Sequence, residues 1–334
     1  MLYPWQQPQW QHMVSSVQHD TLAHGFLFSG PKGVGKETFA DEFAQYLLCH
    51  QNVMGNDKPC GQCPSCLLIA AGMHPDIKTI APEGASETIQ VDQIRELIHY
   101  LSLRPHHANH KVAILYAADR MNVNAANSLL KSLEEPPTAS MLILTTCRPN
   151  SLLPTIKSRC QEVVFPIPDS EISRPWLSSR LEKQDQAELF LSLAHGAPLA
   201  ALELANSQAM EQRLQIYNDL SAIVEKHNEP VQVAGSWKKI DIAEVLYWVW
   251  SFITDMARLK VSQYPPQINN PDLSDRMRKL IKEIPLKNLV HYVSRVENAQ
   301  RFVQGNMNQQ LLLEELLINW SALKKAKPKE VMVR

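Results

Sequence analysis

Gly25-Phe-Leu-Phe-Ser-Gly-Pro-Lys-Gly-Val-Gly-Lys-Glu-Thr38 is the stretch on which the fold turns. A short apolar run, Gly25 to Ser29, reads as a strand, and Gly30 to Lys36 match G-x-x-x-x-G-K where a strand passes into a helix. Glycines let backbone amides curl around a phosphate, the helix N-terminus adds positive potential, and Lys36 brings a mobile charge. Gly30, Gly33, Gly35 and Lys36 are therefore the candidate phosphate-binding residues. The next position departs from the pattern. A hydroxyl there ligates Mg²⁺ in a working loop, whereas Glu37 sets a carboxylate beside the place a nucleotide's phosphates would occupy. The loop geometry is well marked, and ATP binding is left in doubt.

Around this loop the first half of the chain alternates strand-like runs with helical stripes. Ile77-Lys-Thr-Ile80, Lys111-Val-Ala-Ile-Leu-Tyr116, Met141-Leu-Ile-Leu-Thr-Thr146 and Glu162-Val-Val-Phe165 are strand candidates, several apolar on both faces as in a covered parallel sheet. Val91, Ile94, Leu97, Ile98 and Leu101 form one helical stripe. Ala125 to Leu133 form another, which Pro136-Pro137 terminate by removing donors and fixing φ. Strand signals stop after Phe165, Pro166-Ile-Pro168 reads as a linker, and the remainder reads as helix. The expected class is α/β followed by all-α. Asp241 with Glu244 three residues on marks one helix start, and Trp237, Trp248, Trp250 and Phe252 read as helix-packing core.

The chain has 334 residues, more than one core usually organises, with 45% hydrophobic and 20% charged residues, which excludes a disordered chain. Thirty-three basic side chains against 34 acidic ones leave a formal charge of −1, so nothing global draws it to nucleic acid or a membrane surface. The longest nearly continuous apolar run, Val245 to Ile253, is about half a bilayer span, and the N-terminus has no secretory pattern. A cytoplasmic protein is expected. The basic stretches Arg276 to Lys282 and Leu323 to Lys329 are too local to change that expectation.

ATP hydrolysis needs acids at the end of a later strand to hold the metal and aim water. The run from Lys111 instead ends in Tyr116-Ala117-Ala118-Asp119, with Asp119 about three residues too late and read as a turn or helix cap. Cys49-x10-Cys60-x2-Cys63-x2-Cys66 gathers four soft ligands, with Pro59 and Gly61 to make tight turns. A closed tetrahedral Zn²⁺ site of structural type fits best. A ferredoxin-type cluster wants a further cysteine near Ala70, and four unligated thiols are the plain alternative. Cys147 and Cys160 read as packing residues. His106, His107 and His110 read as loop histidines, since no acid or cysteine neighbours them in sequence.

Three segments together carry a family likeness. Leu22 to Lys36, Ala125-Ala-Asn-Ser-Leu-Leu-Lys-Ser-Leu-Glu-Glu-Pro-Pro137 and Ser158-Arg159-Cys160 resemble the AAA+ subunits of the bacterial sliding-clamp loader, most specifically between positions 22 and 165. Within that family the sequence is similar to the kind of subunit that has lost its Walker residues. Glu37, Tyr116 and Ala117 agree with this, as does Leu199, which stands where the motors carry an arginine sensing nucleotide in cis. Lys36 is a residue such a degraded loop need not keep.

The resemblance implies three domains: a RecA-like AAA+ domain over 1–165 with a zinc module inserted at 49–66, a helical lid over 166–207, and a helical collar domain over 208–334. It implies a non-hydrolysing scaffold of the DNA polymerase III clamp loader, without intrinsic ATPase, whose nucleotidyltransferase activity belongs to the complex. Arg159 would be offered in trans to ATP on a neighbouring motor subunit. Implied partners are the γ/τ motors, the δ subunit and, within the complex, the sliding clamp and primed DNA. The competing expectation is an active motor of the γ/τ type.

Overall fold

The computed structural model describes residues 2–51, 57–83, 88–106, 110–302 and 308–325. His107 and the tail beyond Lys325 lie outside them. The described chain divides into two compact units, one of 1–175 with 197–200 and one of 176–196 with 201–334.

In the first unit, helix α1 (Gln7–Gln18) precedes strand β1 (Gly25–Ser29) and α2 (Lys36–Leu48). The short helix α3 (Pro64–Ala70), β2 (Ile77–Ile80), α4 (Val91–Ser102) and β3 (Lys111–Leu115) follow. Then come α5 (Val123–Glu134), β4 (Ser140–Thr146), α6 (Pro154–Lys157) and β5 (Gln161–Val164). All five strands expected from sequence are present, within a residue of their expected ends. They form one parallel sheet in the order β2-β3-β4-β1-β5, with Phe26 opposite Ile143 and Val112 opposite Met141.

The inner strands β1, β3 and β4 are largely apolar at successive positions because both faces are covered. Phe26, Phe28, Val112, Ile114 and Ile143 point to the α1–α2 side, into an aromatic cluster with Trp10, Phe39, Phe43 and Tyr46. Leu27, Ala113, Leu115, Leu142 and Leu144 alternate to the other side, against Ile94 and Leu97 of α4 and Leu129 and Leu133 of α5. Trp10 meets Phe39 edge-on at 5.5 Å, and Phe39 meets Phe28 at 5.4 Å in the same way, the arrangement that ring quadrupoles favour. The sheet thereby fixes the carboxyl ends of β1, β3 and β4 side by side, the edge on which parallel α/β sheets carry their ligands.

Helix α7 (Ser170–Ser178) carries the chain towards α8 (Ala187–Leu193) and α9 (Pro198–Asn206). The regular structure described in the second unit is all helical, continuing with α10 (Ala209–Val224), α11 (Pro230–Trp237) and α12 (Ile242–Val261). It ends with α13 (Ser274–Leu280), α14 (Leu286–Phe302) and α15 (Gln309–Ser321). The class is α/β followed by all-α, as expected. Trp237, Trp248 and Phe252 lie in its core, while Trp250 is partly buried and donates its indole N–H to Glu297 at 3.3 Å. Asp241 caps α12 by accepting from the Ala243 N–H. Beneath the aromatic core lies a buried polar knot. The Arg213 guanidinium, fully buried, binds Asn270 and Asp272, and the fully buried Asp255 carboxylate accepts the Asn269 and Asn270 backbone N–H groups. No single described helix is long and apolar enough to cross a membrane.

Candidate functional site

The phosphate loop sits where β1 passes into α2. Gly33 and Gly35 adopt φ of +82° and +86°, open to glycine at little cost. Each is also crowded. A Cβ on Gly33 would lie 2.6 Å from the Ala200 Cβ, and one on Gly35 would lie 2.6 Å from the Tyr3 ring. The loop's carbonyls are claimed by the N-terminal segment. Gln6 Nε2 donates to the Gly35 and Val34 carbonyls at 2.8 and 3.2 Å, and Trp5 Nε1 donates to the Val34 carbonyl at 2.9 Å.

Lys36 is 3% exposed, and its ammonium donates to the Pro31 carbonyl at 3.2 Å and to Cys147 Sγ at 3.0 Å. A cavity of about 570 Å³ opens here, lined among others by Lys32, Lys36, Glu37, Asp119 and Arg148. Leu199 also lines it, an aliphatic side chain that offers a phosphate nothing. The four expected loop residues are therefore assembled in loop form, but two of the lysine's three N–H donors are used inside the protein.

β3 is followed by Tyr116 and Ala117. The Tyr116 hydroxyl donates to Asp41 on α2, and burial is the main cause raising both the tyrosine and the Asp41 carboxyl above their ordinary values. Asp119 is not a cap. It lies in a single 3₁₀ turn, Ala118–Arg120, and accepts from Thr146 Oγ1 at 2.7 Å, the Cys147 N–H at 3.3 Å and Arg148 Nε at 3.1 Å. Its side chain is 4% exposed, so the carboxylate braces the end of β4 and its charge is spent on Arg148. Sequence reading missed this knot. The available signal was Thr146-Cys147-Arg148 at the carboxyl end of a buried strand beside the loop. Cys147 is corrected as well: it is exposed at the cavity, whereas Cys160 is partly buried, its thiol pushed up to about 12 by burial.

Arg159 lies in the turn between α6 and β5, its side chain 34% exposed. Its Nη2 pairs with Glu134 Oε1 at 2.7 Å, and its Nη1 donates to the Thr155 carbonyl at 3.0 Å. His106 is an exposed loop residue, as expected. Its backbone N–H donates to Asp76 Oδ1 at 2.8 Å, the carboxylate that pairs with the buried Lys111.

The four cysteines predicted to converge do so. The Sγ atoms of Cys49, Cys60, Cys63 and Cys66 all lie within 4.8 Å of one another, and Cys60 and Cys66 are 3.9 Å apart. A tetrahedral thiolate shell with metal–sulfur bonds of about 2.3 Å requires sulfur separations of roughly 3.8 Å, so the donor set fits such an ion. The backbone does part of the work. The N–H groups of Gln62 and Cys63 point at Cys60 Sγ, at 3.5 and 3.3 Å, and lower that thiol to about 6. Burial raises Cys49 and pushes Cys66 up to about 12, the direction that charge on a metal ion reverses. Behind the cluster Ser65 Oγ lies 2.8 Å from His74 Nε2, and His74 Nδ1 accepts the Asp76 N–H at 3.0 Å, so the neutral ring carries its proton on Nε2 and donates to the serine.

A parallel 2-3-4-1-5 sheet with a phosphate loop after its β1 strand and a helical second half has the architecture of an AAA+ protein. Comparison narrows the class. A family model described as DNA polymerase III, delta subunit matches residues 5–169, and one described as DNA polymerase III, delta subunit, C terminal matches residues 207–322. DNA polymerase III subunit delta′ of Pseudomonas aeruginosa is 34% identical over 330 residues, covering 96% of this chain and 98% of the relative. The Escherichia coli subunit delta′ is 30% identical over 95% of this chain and 94% of the relative. Among solved structures, a DNA polymerase III gamma subunit-related protein from Thermotoga maritima shares the fold at a TM-score of 0.51 and 20% identity, covering 95% of this chain and all of that one. The chain belongs to the family of DNA polymerase III delta′ subunits.

Proposed function

We propose that this chain is a non-hydrolysing scaffold of the clamp loader, working in the cytoplasm with γ/τ motor subunits and a δ subunit to place the sliding clamp on primed DNA. In this reading 1–165 is the AAA+ domain, 166–207 the lid and 208–334 the collar domain. The observation that carries it is the spent phosphate loop. Lys36 is bound internally, Glu37 lines the cavity, and Tyr116 and Ala117 occupy the places of the metal-holding and water-aiming acids. Lys36 and the loop glycines would hold phosphate at most, without turnover.

Such a chain still contributes to hydrolysis elsewhere through Arg159. The side chain stands at the surface, permanently charged and planar, the form of group that stabilises charge developing on a transferring phosphoryl. Cys49, Cys60, Cys63 and Cys66 would hold one Zn²⁺, which supplies a covalent-strength cross-link and, with its four positions filled, no catalysis. The test is a loader reconstituted with Arg159→Ala: the variant folds and assembles, and ATP turnover of the complex falls. Turnover equal to the wild type removes the finger from the account.

A further inference from the structure

We propose that Glu134 is the positioning residue of Arg159, setting the guanidinium at the angle from which it meets a neighbour's nucleotide; this rests on the reading of Arg159 as a finger acting in trans. A free arginine side chain samples many rotamers, and a group that must meet a transition state within a fraction of an ångström loses rate for every rotamer it leaves open. Two anchors remove that freedom here. Glu134 Oε1 holds Nη2 at 2.7 Å and the Thr155 carbonyl holds Nη1 at 3.0 Å, so both terminal nitrogens are fixed from different elements. Of the five N–H donors of a guanidinium, two are used this way, and three remain for phosphate oxygens.

The anchor is itself rigid. Glu134 is the last residue of α5, whose Ala125, Ala126, Leu129 and Leu133 are buried against the sheet. The helix end is tied down by His24, whose Nε2 lies 3.1 Å from the Leu133 carbonyl, one of the acceptors a helix C-terminus leaves free. Gly25 completes the seat. A Cβ there would lie 3.2 Å from Leu133 Cδ2, 3.6 Å from Cys160 Sγ and 3.7 Å from the Arg159 carbonyl, so the start of β1 brings the end of α5 and the arginine turn together. The Glu134 carboxylate is 50% exposed, and a half-exposed pair adds little to folding stability, which separates its effect on the finger from an effect on the fold.

The test is a double-mutant cycle in the reconstituted loader, reading kcat and KM for ATP. Co-elution with the other subunits establishes assembly for each variant. Glu134→Gln is expected to lower kcat on the order of tenfold with KM unchanged, because the finger acts on the transition state. Glu134→Asp, which keeps the charge on a shorter arm, is expected to recover part of the loss. Glu134→Gln combined with Arg159→Ala is expected to be no slower than Arg159→Ala alone. A Glu134→Gln complex at wild-type rate, or a loss that adds fully to that of Arg159→Ala, overturns the positioning role while leaving the finger intact. An Arg159→Ala complex at wild-type rate instead removes the finger, and the inference with it.

Discussion

The ammonium of Lys36 stands 3.0 Å from the sulfur of Cys147, at the mouth of the cavity that the phosphate loop encloses. In a working loop that ammonium meets β- and γ-phosphate oxygens, but here a thiol and the Pro31 carbonyl take its hydrogen bonds. A triphosphate would have to displace both while approaching Glu37, without Mg²⁺ ligands at Tyr116 or Ala117.

The purified chain is accordingly expected to release no phosphate from Mg·ATP above background. Glu37→Thr restores one hydroxyl but neither strand-end acid, so it is expected to remain inactive. A malachite-green time course checks both, and steady turnover by either protein contradicts the account of the loop.

The thiol cluster is expected to hold one zinc per chain by elemental analysis. Cys63→Ser replaces a soft donor by a weak one, so metal content is expected to fall, with faster loss of the remainder to a chelator. A native chain of full secondary structure containing no metal would contradict the assignment.

Much of this was legible in the sequence for a physical reason. Runs such as Val112 to Leu115 and Met141 to Leu144 are apolar at every position because both sheet faces are covered, and the cysteine spacing carries its own geometry. The side-chain knots were not legible. Asp119 reaches Thr146 and Arg148 across 27 and 29 residues, and Lys36 reaches Cys147 across 111, contacts that only the packing of β1, β3 and β4 creates. Cys147 read as a packing residue because a thiol at the end of an apolar strand is usually buried, whereas this strand ends at a cavity.

Gly33→Ala probes how tightly the loop is seated. The new methyl meets the Ala200 Cβ at 2.6 Å and its N at 2.7 Å, at a φ of +82°. A loss of about 1–3 kcal/mol is expected from strain of this kind. Gly72→Ala is the control. Its φ is +68° with nothing within 4 Å of the added carbon, so it carries only the left-handed backbone penalty of roughly 1 kcal/mol. Urea denaturation of the two variants compares them, and an equal loss would show that the contact with Ala200 yields freely.

Arg213 tests the buried knot of the helical unit. Its Nη2 lies 2.7 Å from Asp272 Oδ1 and 2.9 Å from Asn270 Oδ1, and its side chain has no exposure. Arg213→Met keeps the bulk but strands both partners, at an expected cost of about 3 kcal/mol. Arg213→Lys is not expected to rescue it, because one ammonium cannot reproduce the fork. Denaturant midpoints decide, and a loss below about 1 kcal/mol would mean that water replaces the guanidinium.

His195 gives the helical unit a pH dependence of definite sign. Burial beside the Tyr247 and Trp250 rings disfavours its charged form and lowers its pKa below 6.5, with the Asn269 side chain and Asp255 acting more weakly against the shift. The unfolded chain therefore takes up the proton first as pH falls. The stability contributed by neutral His195 is complete above about pH 6.5 and is lost as pH drops towards the depressed folded value. The backbone there has φ of +52°, a conformation that asparagine tolerates better than most residues. His195→Asn is thus expected to flatten the loss of stability as pH falls below about 6.5. His110, shifted the same way by burial, leaves a residual slope. Urea midpoints across that range are the measurement, and a slope unchanged in the variant would place the titrating group elsewhere.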